Sequence, residues 1–163
     1  MLGIAVATAA SVLAMAARVS EDGGLAAQAD ALRARSAPLA QRDADTYDAA
    51  LAVRDATEAL RPDRRDWEIG QAFARAAEPP LEIARVAADI TELAAQLAAA
   101  GDPRVRADAV AAAALAAGAA RGAVALVTVN LTMVEGDPRA AEAERLARGA
   151  GETLAQLLQP GEG

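Results

Sequence analysis

Apolar residues recur at three- and four-residue spacing along nearly the whole chain, so the pattern predicts helices and no strand of useful length. A first helix is expected from about Leu2 to Val19, uncharged as far as Ala17 and stopped by Glu21-Asp22 and Gly23-Gly24. Its Ala14-Met15-Ala16-Ala17 ending resembles a secretory signal. No basic residue precedes the run, however, and Thr8 and Ser11 are spaced as in a packed helix, so a buried helix is expected. A second stretch runs from about Leu25 to Leu60. Leu25, Leu32 and Leu39 recur every seven residues and mark a packing seam, and Pro38 is a kink point. Asp63 to Ala100 places Ile69, Phe73, Ala76, Ile83, Val86, Ile90, Leu93 and Leu97 on one face, and Pro79-Pro80 must kink or divide that segment.

Gly101-Asp102-Pro103 and Gly136-Asp137-Pro138 repeat one punctuation: a glycine after a helix, an Asp N-cap and a proline in the first turn. They bound a fourth helix reaching about Val134 and open a polar fifth helix over Arg139 to Leu158. The expectation is one all-α domain over residues 1–158, an up-and-down bundle of about five mainly long helices, some kinked at Pro. A frayed tail is expected at 159–163.

Composition sharpens this picture. About fifty of the 163 residues are alanine, the best helix former, and only Tyr47, Trp67 and Phe73 are aromatic. With no Cys and no His, disulfides, thiol nucleophiles, imidazole bases and nearly every zinc or haem site are excluded; a metal would need a hard, oxygen-ligated ion, and none is expected. The net charge of −7 argues against nucleic acid as a partner. Arg121 and Asn130 interrupt the apolar stretch from Ala109 to Val134, so no membrane span is expected and the chain reads as cytoplasmic. Small residues at Ala111 to Ala114 and Gly118 to Gly122 permit close helix approach, and a homodimer is expected.

Polar residues on apolar stripes are the candidates for chemistry, because burying them unpaired is costly. Asp43 and Tyr47 continue the seam of Leu39, Arg65 lies four residues before Ile69, Asp108 four before Ala112, and Asn130 four after Leu126. They form either a mutually satisfied network that sets helix register or a site in which two acids and an Arg serve a cationic substrate and its carboxylate. Glu21, Asp45, Asp48, Asp63, Asp66 and the Glu142 to Arg148 run are expected to be solvated.

At these residues the chain resembles the cyclodeaminase and methenyltetrahydrofolate cyclohydrolase family, related to the C-terminal domain of formiminotransferase-cyclodeaminase. The segment Asp43-Ala44-Asp45-Thr46-Tyr47 looks like its Asp-x-x-Ala-aromatic element. Arg65 followed by Pro80-Leu81-Glu82-Ile83-Ala84 resembles its Arg and Pro-Leu-Glu-Val-Ala pattern. Ala107-Asp108-Ala109 is similar to its Ser-Asp-Ala element, and Val129-Asn130-Leu131 matches the end of its Asn-Val-x-Ile-Asn-Leu segment. Asp102, Ala107 and Leu126 depart from the family's Asn, Ser and Asn, and the family's Pro-Gly-Gly-Gly-Ser turn would fall just upstream of Met1.

The resemblance implies an enzyme acting on a tetrahydrofolate derivative without a resident cofactor. It would hydrolyse 5,10-methenyltetrahydrofolate to the 10-formyl compound or deaminate formiminotetrahydrofolate. Asp43 and Asp108 would then be catalytic, and Arg65, Asn130 and Tyr47 would bind substrate. The departures leave room for a divergent homologue acting on another small imine or amide, or for a non-catalytic helical homodimer.

Overall fold

The computed structural model describes residues 1–100 and 102–159. Its helices are α1 (Leu2–Val19), α2 (Gly23–Ser36), α3 (Leu39–Ala56), α4 (Pro62–Ala76), α5 (Glu78–Ala99), α6 (Arg106–Asn130) and α7 (Pro138–Leu158), with no strand among the described residues. These are the five expected rods, two of them bent. The bends fall at Ala37-Pro38, between α2 and α3, and at Ala77, between α4 and α5, where the backbone stays close to helical values. The tail expected to fray lies outside the described residues from 160 onward, as does the helix-ending Gly101.

Local chemistry accounts for the boundaries, with two departures from expectation, both on α6. The first helix ends at Val19 as expected, although the glycines are not what closes it. Glu21 takes the left-handed conformation instead (φ 60°), with Glu21 N–H donating to the Arg18 carbonyl and Asp22 N–H to the Ala17 carbonyl, a Schellman closure. Asp22 then caps α2 by accepting from Leu25 N–H at 2.9 Å, so the two glycines become that helix's first residues. Asp102 accepts from Arg104 N–H at 2.9 Å, but Pro103 to Val105 form a turn and α6 starts only at Arg106. At its other end α6 stops at Asn130 rather than Val134, and the turn that follows reaches Gly136 at φ 74°. Asp137 and Pro138 start α7 as expected.

The longest helices, α5 and α6, are packed together at the centre, α7 lies along both, α1 packs on α6, and α2 braces α1 and α5. The α1–α6 pair is antiparallel, with Leu2 over Gly122 at one end and Arg104 donating to the Val19 carbonyl at the other. Alanine makes this closeness possible. Ala109, Ala112, Ala116, Ala120 and Ala123 on α6 are sealed from solvent, and the larger anchors Leu13, Leu81, Ile83, Ile90 and Leu97 fill what remains.

By length and composition, α1 and α6 both reach the apolarity of a membrane span, contrary to the expectation from the interrupting residues. About half of each apolar window is buried in the bundle. The hairpin α3–α4 stands apart, since Ala50, Ala72 and Ala76, with Val53 and Phe73 against them, form their own apolar cluster.

Candidate active site

The hairpin carries three of the five candidate residues. Leu25, Leu32 and Leu39 are all buried, but the seam ends there. On α3 only Leu39 and Ala50 are buried; Asp43 is half-buried and Tyr47 is 44% exposed. Tyr47 meets Phe73 of α4 edge to face with ring centroids 5.9 Å apart, which zips the hairpin. Arg65 is half-exposed and pairs with its neighbour Asp66 at 3.2 Å. From the Tyr47–Phe73 contact Asp43 lies four residues one way and Arg65 eight the other, so the two stand about 18 Å apart along the pair at 1.5 Å per residue.

On α6, Asp108 occupies the first turn and Asn130 is the last residue, about 33 Å away along the axis. Asp108 is half-buried and makes no ion pair among the described residues. The expected buried network of two acids, an Arg and an amide is therefore not formed within one protomer. Helical periodicity reports the face a residue occupies but not its height along the bundle, and height separates Asp108 from Asn130 and Asp43 from Arg65.

Asp43 and Asn130 do share one end of the molecule, where α1 begins. A Cβ on Gly3 would lie 2.6 Å from the backbone nitrogen of Ala40, so α1 and α3 touch one turn before Asp43. Burial raises the Asp43 carboxyl above its ordinary value, and the Met1 α-ammonium group acts the other way. A carboxyl so placed holds a proton more readily than a solvated aspartate, as a general acid requires.

Asn130 is 5% exposed and donates through Nδ2 to the Ala76 carbonyl at 2.9 Å. Pro80, four residues beyond Ala76, has no N–H to give that carbonyl, so the Asn130 amide takes the place of the missing helical donor. One residue past Asn130, Leu131 joins Thr128, Val134 and Pro138 in lining an apolar groove of about 550 Å³.

The expectation of solvated charges holds for Glu21, Asp45, Asp48, Asp63 and Asp66, which are exposed, but not for Glu142. Arg85 donates to Glu142 at 2.8 Å and holds that carboxyl below its usual range. Arg35 bridges Glu82 at 2.8 Å and Asp89 at 3.0 Å, and Arg139 reaches Glu78, Asp137 and the Ala74 carbonyl. Arg35, Glu78, Glu82 and Arg85 from these pairs, with Arg42, line a cavity of about 390 Å³ under the α2–α3 bend. Sequence reasoning missed this network because, Asp137 and Arg139 aside, its partners are 47 to 65 residues apart. The one local signal was the proline pair, which announces carbonyls in need of outside donors. Among the described residues, no group of three or more Asp or Glu is placed to hold a metal ion.

The profile of the formiminotransferase-cyclodeaminase family matches residues 2–148. Among solved structures, the chain is similar to formiminotetrahydrofolate cyclodeaminase from Thermotoga maritima, with a TM-score of 0.79 and 18% sequence identity over 96% of this chain and 84% of that one. At that identity the likeness carries the fold. Among curated protein sequences none matches this chain.

Proposed function

Because the chain belongs to the formiminotransferase-cyclodeaminase family, we propose that it is a one-carbon folate enzyme of the cytoplasm. It either hydrolyses 5,10-methenyltetrahydrofolate to 10-formyltetrahydrofolate or deaminates formiminotetrahydrofolate. The observation that carries this reading is that the family match over residues 2–148 contains Asp43, Tyr47, Arg65, Asp108 and Asn130. In the hydrolysis, water adds to the electron-poor amidinium carbon and a C–N bond of the bridge opens. In the deamination, the N10 amine closes on the formimino carbon that the ring nitrogen carries, and ammonia departs. Both need proton transfer and stabilisation of positive charge, which carboxylates supply. Asp43, whose carboxyl is raised by burial, serves as the proton donor and acceptor. Arg65, well removed along the hairpin, suits the carboxylate end of an elongated ligand.

In this reading Asp108 acts from a second copy of the chain. Ile4, Met15 and Val19 on α1 and Leu115 and Val129 on α6 leave large apolar side chains exposed on two adjacent helices. Gly118 lies midway along α6 and is exposed, and a Cβ there would have nothing within 4 Å. A two-fold dimer crossing there in antiparallel fashion would set Asp108 of the partner subunit level with residue 128, at the Asp43 and Asn130 end. It would also cover the apolar stripe.

The test follows the loss of the methenyl chromophore against the spontaneous rate. Asp108→Asn and Asp43→Asn should each abolish the acceleration and leave helicity intact. Mixing the two variants after unfolding and refolding together should restore about a quarter of wild-type activity, because half the dimers are mixed and each holds one intact site. A silent mixture would exclude the shared site. A wild-type chain that does not accelerate the reaction would refute methenyl hydrolysis, and ammonia release from the formimino compound then decides the deaminase branch.

A further inference from the structure

The hairpin that carries Asp43, Tyr47 and Arg65 is lightly attached. Its own apolar cluster is separate from the main core, and both connections to the bundle run through proline bends, at Pro38 and at Pro79-Pro80. Its α4 half buries only Gly70, Ala72, Ala74 and Ala76, residues too small to interlock deeply with neighbours. Helical hydrogen bonding at the second bend is incomplete: Ala77 N–H reaches the Phe73 carbonyl at 3.1 Å and Leu81 N–H the Ala77 carbonyl at 3.2 Å, but Pro80 gives the Ala76 carbonyl no donor. The missing bond is replaced from outside the hairpin by Asn130 Nδ2 on the Ala76 carbonyl at 2.9 Å, aided by Arg139 Nη1 on the Ala74 carbonyl at 2.7 Å.

The structure assigns Asn130 the role of a positioning residue: through the Ala76 carbonyl it sets the angle at which the α3–α4 hairpin presents Asp43 and Tyr47 to a ligand. Its effect on turnover rests on the folate reading; its effect on the hairpin does not. The amide is 5% exposed with one donor committed to this bend, and Val127 and Leu131 on either side of it in the sequence are buried, so leaving the Ala76 carbonyl would strand a buried polar group. A buried carbonyl that loses its donor opens locally more often, and the opening stays confined to the unit that the donor fastened.

A rescue experiment tests this. Asn130→Leu fills much the same space without a donor, and Asn130→Asp keeps an acceptor while losing the donor at neutral pH. A covalent substitute is at hand, because a Cβ at Gly70 would lie 3.7 Å from Met133 Cβ, within the range a disulfide spans, and the chain has no other cysteine. In both Asn130 variants, backbone amides of α4 should exchange about tenfold faster while those of α5 and α6 keep wild-type protection. Where the wild type turns over folate, kcat should fall in step. Adding Gly70→Cys and Met133→Cys should restore slow exchange and kcat when oxidised, but not when reduced.

Unchanged α4 exchange with lost activity would overturn the assignment in favour of direct substrate contact, as would an active Asn130→Asp. Equal acceleration in every helix would overturn it in favour of general packing. If the wild-type chain turns over neither folate, the exchange measurement still decides the role of Asn130 while the proposed reaction falls.

Discussion

Two glycines at the beginning of the bundle give matched substitutions with opposite expected outcomes. Gly3 of α1 and Gly122 of α6 both face a neighbouring helix closely, and alanine at either gains helix propensity, up to about 1 kcal/mol in a helix interior. At Gly122 the new methyl would meet Leu2 Cδ2 at 2.9 Å and Cδ1 at 3.1 Å, the far end of a flexible side chain. Leu2 can rotate away at a cost of about 0.5–1.5 kcal/mol, so the net change is near zero. At Gly3 the methyl would meet the Ala40 nitrogen at 2.6 Å, its Cα at 3.0 Å and its Cβ at 3.2 Å.

None of the Ala40 atoms can rotate away. Ordinary carbon contacts lie at about 3.5–4.0 Å, so α1 and α3 must part by roughly 1 Å, an overpacking cost of about 1–3 kcal/mol. Gly3 sits in the first turn of α1, where the propensity gain is smallest. Gly3→Ala should therefore lose about 2 kcal/mol and lower Tm by about 4–8 °C for a chain of this size, while Gly122→Ala stays within about 2 °C of wild type. Thermal melts followed by circular dichroism read both. A Gly3→Ala protein melting at or above Gly122→Ala would refute the close approach of α1 to α3, and with it the geometry placed around Asp43.

Glu21→Gly should stabilise the chain by about 0.5–1 kcal/mol, because a left-handed non-glycine residue costs about 1–2 kcal/mol and glycine returns part of that as unfolded-state entropy; a melt that does not rise would contradict the Schellman closure. Burial raises the Asp43 carboxyl, so its contribution to stability is full below the ordinary aspartate range and is lost as pH rises through the raised value. Asp43→Asn should accordingly be more stable than wild type at pH 7 and equal to it near pH 3.5 in urea titrations, even as turnover is lost. Asp137 has the opposite sign: its hydrogen bond with Arg139 holds the carboxyl below its usual range, so its stabilisation is present above that range and disappears as pH falls through the lowered value. Asp137→Asn should therefore cost stability at pH 7 and cost none in strong acid, and a deficit that persists unchanged in acid would disprove the ion pair's role.

The helices were legible because their causes are local. Alanine content, the leucines at 25, 32 and 39, and the Asp-Pro pairs at 102–103 and 137–138 act within a turn or two, and each left its element close to where the pattern placed it. The end of α6 was less legible, falling at Asn130 where about Val134 was expected, and so was the means by which α1 closes at its expected end, Val19. Glu21 and Asp22 closed and capped where two glycines stood ready, since a capping carboxylate competes with glycine on nearly equal terms.

The candidate site was legible as a set of residue types but not as an arrangement. That Asp43, Tyr47, Arg65, Asp108 and Asn130 stood out on their stripes is a property of periodicity, which carries no information about height along a bundle or about which rod lies beside which. Only the tertiary structure brought Asn130 to the end of the bundle where Asp43 lies, left Tyr47 half in solvent on a hairpin with its own small core, and gave Asn130 the carbonyl that Pro80 could not serve. Sequence determined the rods, because backbone hydrogen bonds and helix propensity are satisfied within a few residues. Packing decided the site, because the contacts that build it join residues some fifty positions apart, as the 54 between Asn130 and Ala76 show, and burial is a property of the assembled bundle.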